Sequence, residues 1–218
     1  MQNSCADTWV DRALPLLREI ERDLRTNHER GIRELWARLT ASSPALSAHA
    51  RRTGLGAIAL GQTLGLGDAE LIDLGYAGLL HDIGLLTLPP GADEHAPPLA
   101  ADDYARFQSH PRAGAAMLHP FPRLKSAALY IAHHHERWDG YGYPYGLRGK
   151  FIPLGARILV VADLYDALQT SEGSASPPGS HVSAALLQAV SGSVLDPYLV
   201  RVFTRLLNTV SEPGTVIL

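Results

Sequence analysis

The chain has 218 residues, 46% of them hydrophobic and 19% charged, with 19 basic against 22 acidic side chains. That apolar content sustains a sizeable core and excludes a disordered chain, and a net charge of −3 excludes a broad electrostatic grip on DNA or RNA. A single cysteine permits no internal disulfide and fits a reducing, cytoplasmic setting, whereas ten histidines call for an explanation.

The length fits one large domain or one domain with an appendage. Asp7, Asp11, Arg12, Arg18 and Glu19 leave no apolar signal core among the first twenty residues. The longest uncharged run, Gly173 to Leu195, is interrupted by Ser, Gly, Pro and His181, so no membrane span is expected.

Taken in chain order, apolar residues recur at helical spacing. Trp9, Ala13, Leu17, Ile20 and Leu24, then Ile32, Leu35, Trp36 and Leu39, predict one or two amphipathic helices up to about residue 40, with Pro15 and Gly31 as candidate interruptions. Their apolar faces serve either to cover the bundle or to form a homodimer. Ser43-Pro44 is a helix start, a capping serine followed by proline in the first turn, and that helix runs to Gly65. Asp68 opens another, from Ala69 to about His81. Residues 86–101 read as a loop. Helices follow at 102–118 and 124–135, then a glycine-rich loop from Asp139 to Pro153. A helix over 154–169, a flexible segment at 171–180, and two last helices at 181–190 and, capped by Asp196-Pro197, at 198–207 complete the chain. The run Ile158 to Val161 is read as helix rather than strand because of its flanks. The fold class is all-α.

Six histidines, His49, His81, His110, His133, His134 and His135, fall on these helices or at their ends. His81-Asp82 closes an apolar helix, where an imidazole and a carboxylate are unfavourable unless something engages them. A divalent metal would do so, and so would plain exposure at a helix end. His133-His134-His135-Glu136 is poorly explained by packing. Asp163 is a second awkward carboxylate, with a metal or a buried ion pair to Arg157 as alternative partners.

Together these strings have a known order. HDIG at 81–84, HPRAG at 110–114, HHERWDGYGYP at 134–144 and IPLGARILVVADLYDAL at 152–168 resemble the HD-GYP domain, a branch of the HD superfamily of metal-dependent phosphohydrolases. The resemblance covers about residues 44 to 208. It implies an HD-type helical bundle over residues 44–218, carrying a GYP loop and preceded by an N-terminal helical segment at 1–43. It also implies two divalent metals, iron or manganese by resemblance, although imidazole-rich sites take zinc and nickel too. His49, His81, Asp82 and Asp163 would hold one metal. His110, His134 and His135 would hold the second, with Asp82 bridging, while His133, Glu136 and Asp166 would support the ligands or the loop.

The implied chemistry is hydrolysis of cyclic di-GMP to linear pGpG or GMP by a water bridging two metals roughly 3.5–4 Å apart. Asp82, His81 and Asp163 would be its catalytic centre. Arg137, Arg148 and Lys150 lie around the GYP loop, either as local positive charge for the substrate or as ordinary solvated groups. Tyr141 and Tyr143 either stack on a guanine or brace the loop. The GYP loop is also a candidate contact for signalling proteins.

Three departures from the family stand out. Leu85 replaces the lysine of HDIGK. Ala45 replaces the glutamate that trinuclear members carry, so two metals are expected rather than three. The stretch Ser171 to Ala175 lacks the family's arginines. A metal-binding module with weak or absent hydrolysis is therefore the alternative to an enzyme, with a different nucleotide substrate as a third reading. His28, His95, His119 and His181 receive no role.

Overall fold

The computed structural model describes residues 8–88, 101–170 and 180–208. Most of the loop expected at 86–101, the segment at 171–180 but for its last residue, the arginine-poor stretch and His95 lie outside the described residues. The described chain is all-α, with no β-strand. Ten α-helices make it up: α1 (Trp9–Thr26), α2 (Arg30–Ser42), α3 (Pro44–Thr63), α4 (Asp68–Leu80), α5 (Ala101–Phe107), α6 (His110–Leu118), α7 (Lys125–Ala132), α8 (Leu154–Thr170), α9 (Ser180–Ala189) and α10 (Pro197–Asn208). Short 3₁₀ turns follow α4 (Ile83–Thr87), precede α7 (Pro122–Leu124) and precede α8 (Gly149–Phe151).

The start signals act as the sequence suggests. Ser43 accepts the Leu46 N–H at 3.3 Å with Pro44 opening α3, and Asp196 accepts the Tyr198 N–H at 2.8 Å at the start of α10. The first two helices part at neither Pro15 nor Gly31. Pro15 sits inside α1 on its exposed side, where water can serve the orphaned carbonyl of Asp11. The break falls at Asn27, whose side chain accepts the Glu29 N–H at 2.8 Å and diverts the backbone from the helix.

Two expected helices are shorter than the reading. The stretch 102–118 divides into α5 and α6 at Gln108-Ser109, because Pro111 has no N–H to give the carbonyl of Phe107. The stretch 124–135 ends at Ala132, and His133 to His135 turn out of the helix.

α3 lies at the centre. Ala57, Ile58 and Leu60 are fully buried against Leu74 and Leu79 of α4, Ile158 and Val161 of α8, and Phe203 of α10. Each such large side chain contributes about 1.5–3 kcal/mol relative to exposure. Ala13, Leu17, Ile20 and Leu24 put the apolar stripe of α1 into this same core. Where α3 crosses α4, a Cβ on Gly78 would run into the backbone of Gly54, so two glycines set how close the helices come. That crossing brings His49 beside His81.

Candidate metal centre

Three histidines are aimed by one local device. Carbonyls in the last turn of a helix lack an intrahelical partner. His81 Nδ1 meets the carbonyl of Gly78 at 2.9 Å, His110 Nδ1 that of Phe107 at 2.8 Å, and His134 Nδ1 that of Ile131 at 2.6 Å. Each ring reaches back three residues across a helix end. Nδ1 therefore carries the proton, and Nε2 turns a lone pair to the interior.

The first ligand group joins His49 of α3, His81 after α4 and Asp163 of α8. His49 Nε2 lies 3.1 Å from His81 Nε2 and 3.0 Å from Asp163 Oδ1. Its Nδ1 donates to Asp166 Oδ2 at 2.7 Å, and Arg52 grips Asp166 with Nε and Nη2. His49 and Arg52 sit three residues apart on α3, as Asp163 and Asp166 do on α8, so each pair shares one helix face. Sequence reasoning gave Asp166 a supporting place but missed Arg52.

The second group is His110, His134 and His135. His110 Nε2 and His134 Nε2 are 3.3 Å apart, and the His134 and His135 ring centroids 4.1 Å. A Cβ on Gly84, the glycine of HDIG, would collide with the carbonyl of His110, so only glycine lets the turn after Asp82 rest on α6. Tyr143 stacks on His135 with centroids 4.8 Å apart and planes 20° apart, which puts it in the bracing position. The buried carboxylate of Glu136 accepts the N–H groups of Tyr145 at 2.7 Å and Leu147 at 2.9 Å and so secures the GYP loop. The Tyr143-Pro144 bond in that loop is cis.

Asp82 lies between the groups. Its Oδ2 is 3.2 Å from His81 Nε2 and 3.8 Å from His49 Nε2, while Oδ1 is 3.5 Å from His110 Nε2. The electrostatics differ from one side to the other. Burial opposes a charge on His49, but hydrogen bonds to Asp163 and Asp166 outweigh it and raise its pKa to about 11. Burial likewise opposes protonation of His81, and Asp82 overcomes it. Burial and the neighbouring imidazoles push His134 well below the ordinary histidine value and His135 down to about 4. Burial raises Asp82, yet the surrounding rings, His81 foremost, hold it well below the usual carboxylate range.

These donors fit divalent cations. His110 and His134, both kept neutral by burial, turn Nε2 lone pairs toward each other at 3.3 Å, and these repel unless positive charge sits between them. Imidazole and carboxylate donors converge there, with the second nitrogen of His49, His81, His110 and His134 anchored as metal-ligating histidines require.

The remaining candidates are placed less centrally. Arg137 is bound to Asp139 at 2.6 and 3.0 Å, and Arg148 and Lys150 are exposed on the loop. The Arg157–Asp163 ion pair does not form. Arg157 meets Asp196 at 2.7 Å, because six residues along a helix put Arg157 and Asp163 on different faces. His133 stays outside both groups, its ring 5.0 Å from that of Tyr145.

The HD domain family model matches residues 34–199. The chain belongs to the HD domain family. Within it the HD-GYP motifs stand as read: the chain is 33% identical over 196 residues to the cyclic di-GMP phosphodiesterase response regulator RpfG of Xanthomonas campestris, covering 89% of this chain and 51% of that protein. It is 32% identical over 180 residues to the 3'3'-cGAMP-specific phosphodiesterase 2 of Vibrio cholerae, covering 82% of this chain and 34% of the relative. This HD domain protein thus spans about half the length of the first relative and a third of the second. Its fold is similar to that of a solved HDGYP protein from Bdellovibrio bacteriovorus, with a TM-score of 0.64 and 22% identity, over 95% of this chain and 75% of the other.

Proposed function

We propose that this HD domain chain is a metal-dependent phosphodiesterase that hydrolyses cyclic di-GMP to linear pGpG or GMP. The observation that carries the reading is Asp82, one carboxylate presenting Oδ2 to His81 and Oδ1 to His110. His49, His81, Asp82 and Asp163 would hold one divalent cation; His110, His134 and His135 would hold another, with Asp82 shared. Two cations there supply a water of lowered pKa and a clamp on the phosphoryl oxygens. Asp82 would be shared between them, and Asp166 and Glu136 would steady the ligands and the loop. Iron or manganese is the metal favoured by family resemblance.

Arg137, Arg148 and Lys150 form the basic rim for the substrate phosphates, Arg137 on release from Asp139, with Tyr143 behind His135. Residues 1–43 act as an N-terminal extension of the catalytic part at 44–218, with α1 and α2 as its described helices. Phe151, 84% exposed on the GYP loop, would serve as that loop's contact with signalling proteins.

The test is metal content by mass spectrometry together with hydrolysis of cyclic di-GMP in added Mn²⁺ or Fe²⁺, for the wild type and Asp82→Ala. Two metals and a turnover that Asp82→Ala abolishes are expected. Absence of stoichiometric metal sinks the reading. Leu85 favours a second reading, a metal-binding module with weak hydrolysis: it stands in the turn after Asp82 where the family places a lysine. Leu85→Lys is then expected to raise turnover by about tenfold, the scale of one added electrostatic contact to a reacting phosphate.

A further inference from the structure

We infer that the cleft beside the three-histidine group seats one purine base of the substrate, with the side-chain amide of Gln108 set across the base's polar edge. This rests on the phosphodiesterase reading and deepens it. The cleft has a volume of about 300 Å³, at the small end of ligand sites, which suits a base rather than an entire cyclic dinucleotide. Its lining includes His135 of the second ligand group, so a phosphate held at that group lies next to the cleft and its nucleoside can reach into it.

The lining has the chemistry of a base slot. Val160 and Val194 are apolar, and Tyr104 and Tyr141 offer aromatic faces to a flat ring. Of the charged groups in the cleft, Arg137 is engaged by Asp139, and Glu136 has both oxygens on backbone N–H groups. Gln108, at the break between α5 and α6, is half-buried. Its backbone N–H bonds to Tyr104, but its side-chain amide has no hydrogen-bond partner among the described residues. An amide offers a donor and an acceptor side by side, which matches the paired acceptor and donor on a purine edge.

The probes that separate base from phosphate are GMP, AMP and ribose 5-phosphate, none of which has a diester to cleave. Their binding to the manganese-loaded protein is measured by calorimetry for the wild type, Gln108→Leu and Tyr104→Ala. GMP and AMP are expected to bind the wild type more tightly than ribose 5-phosphate. Each variant is expected to weaken GMP and AMP by about tenfold, with ribose 5-phosphate, metal content and melting temperature unchanged. Equal affinity of the wild type for all three probes overturns the inference, as does unchanged GMP and AMP binding in both variants. Hydrolysis of cyclic di-GMP by the same preparation tests the underlying reading. A protein that hydrolyses it without base-dependent binding removes this inference alone.

Discussion

The two ligand groups flank one carboxylate, yet they are built differently. The first draws His49 from the second turn of α3 and Asp163 from the middle of α8, two long helices of the core, and places a carboxylate and an Asp166–Arg52 pair around one imidazole. The second consists of imidazoles alone, taken from the start of α6, the end of α7 and the GYP loop beyond it. The first therefore offers anionic carboxylate oxygens of Asp163 and Asp82 beside its imidazoles, whereas the second offers neutral ring nitrogens alone. The lesson is that the two sides differ in kind: one sets a carboxylate among its imidazoles on core helices, and the other offers neutral rings at the edge of the cleft lined by His135.

Breaking both sides at once gives the largest effect. Asp82→Ala is expected to lower hydrolysis by on the order of 10³-fold or more, since it removes the one carboxylate that stands between the two groups. Next come variants that break one side only. Asp163→Asn and His134→Ala should each leave about one metal per chain, and titration with Mn²⁺ should show the tighter phase lost in the first and the weaker phase lost in the second. Loss of both phases in either variant would show that the groups are not separate seats. The smallest effect sharpens the contrast. Asp166→Asn keeps the shape but weakens the hold on His49, so the first metal should bind about 10–100-fold less tightly while the second is unmoved.

Much of this was legible in the sequence for physical reasons. Ser43-Pro44 and Asp196-Pro197 marked true helix starts because capping is local. The break at Gln108-Ser109 was overlooked although Pro111 announced it, since helical periodicity carries across a missing hydrogen bond. The spacing of Arg157 and Asp163 should have excluded that pair, and the three-residue spacing of His49 and Arg52 could have revealed Arg52. What no local pattern supplied was the distance between the groups. Close approaches at Gly78 and Gly84 set it, and a glycine in a sequence does not say which backbone it lets in.

The imidazoles that reach back to carbonyls three residues away have a consequence for assembly. A ring tied to its own helix end takes its heading as soon as that turn forms, before any distant part of the chain arrives. His81, His110 and His134 are thus oriented one by one, and packing has only to bring finished pieces into range. His49 is the exception: its heading comes from Asp166, 117 residues away, so it is set only when α3 and α8 meet.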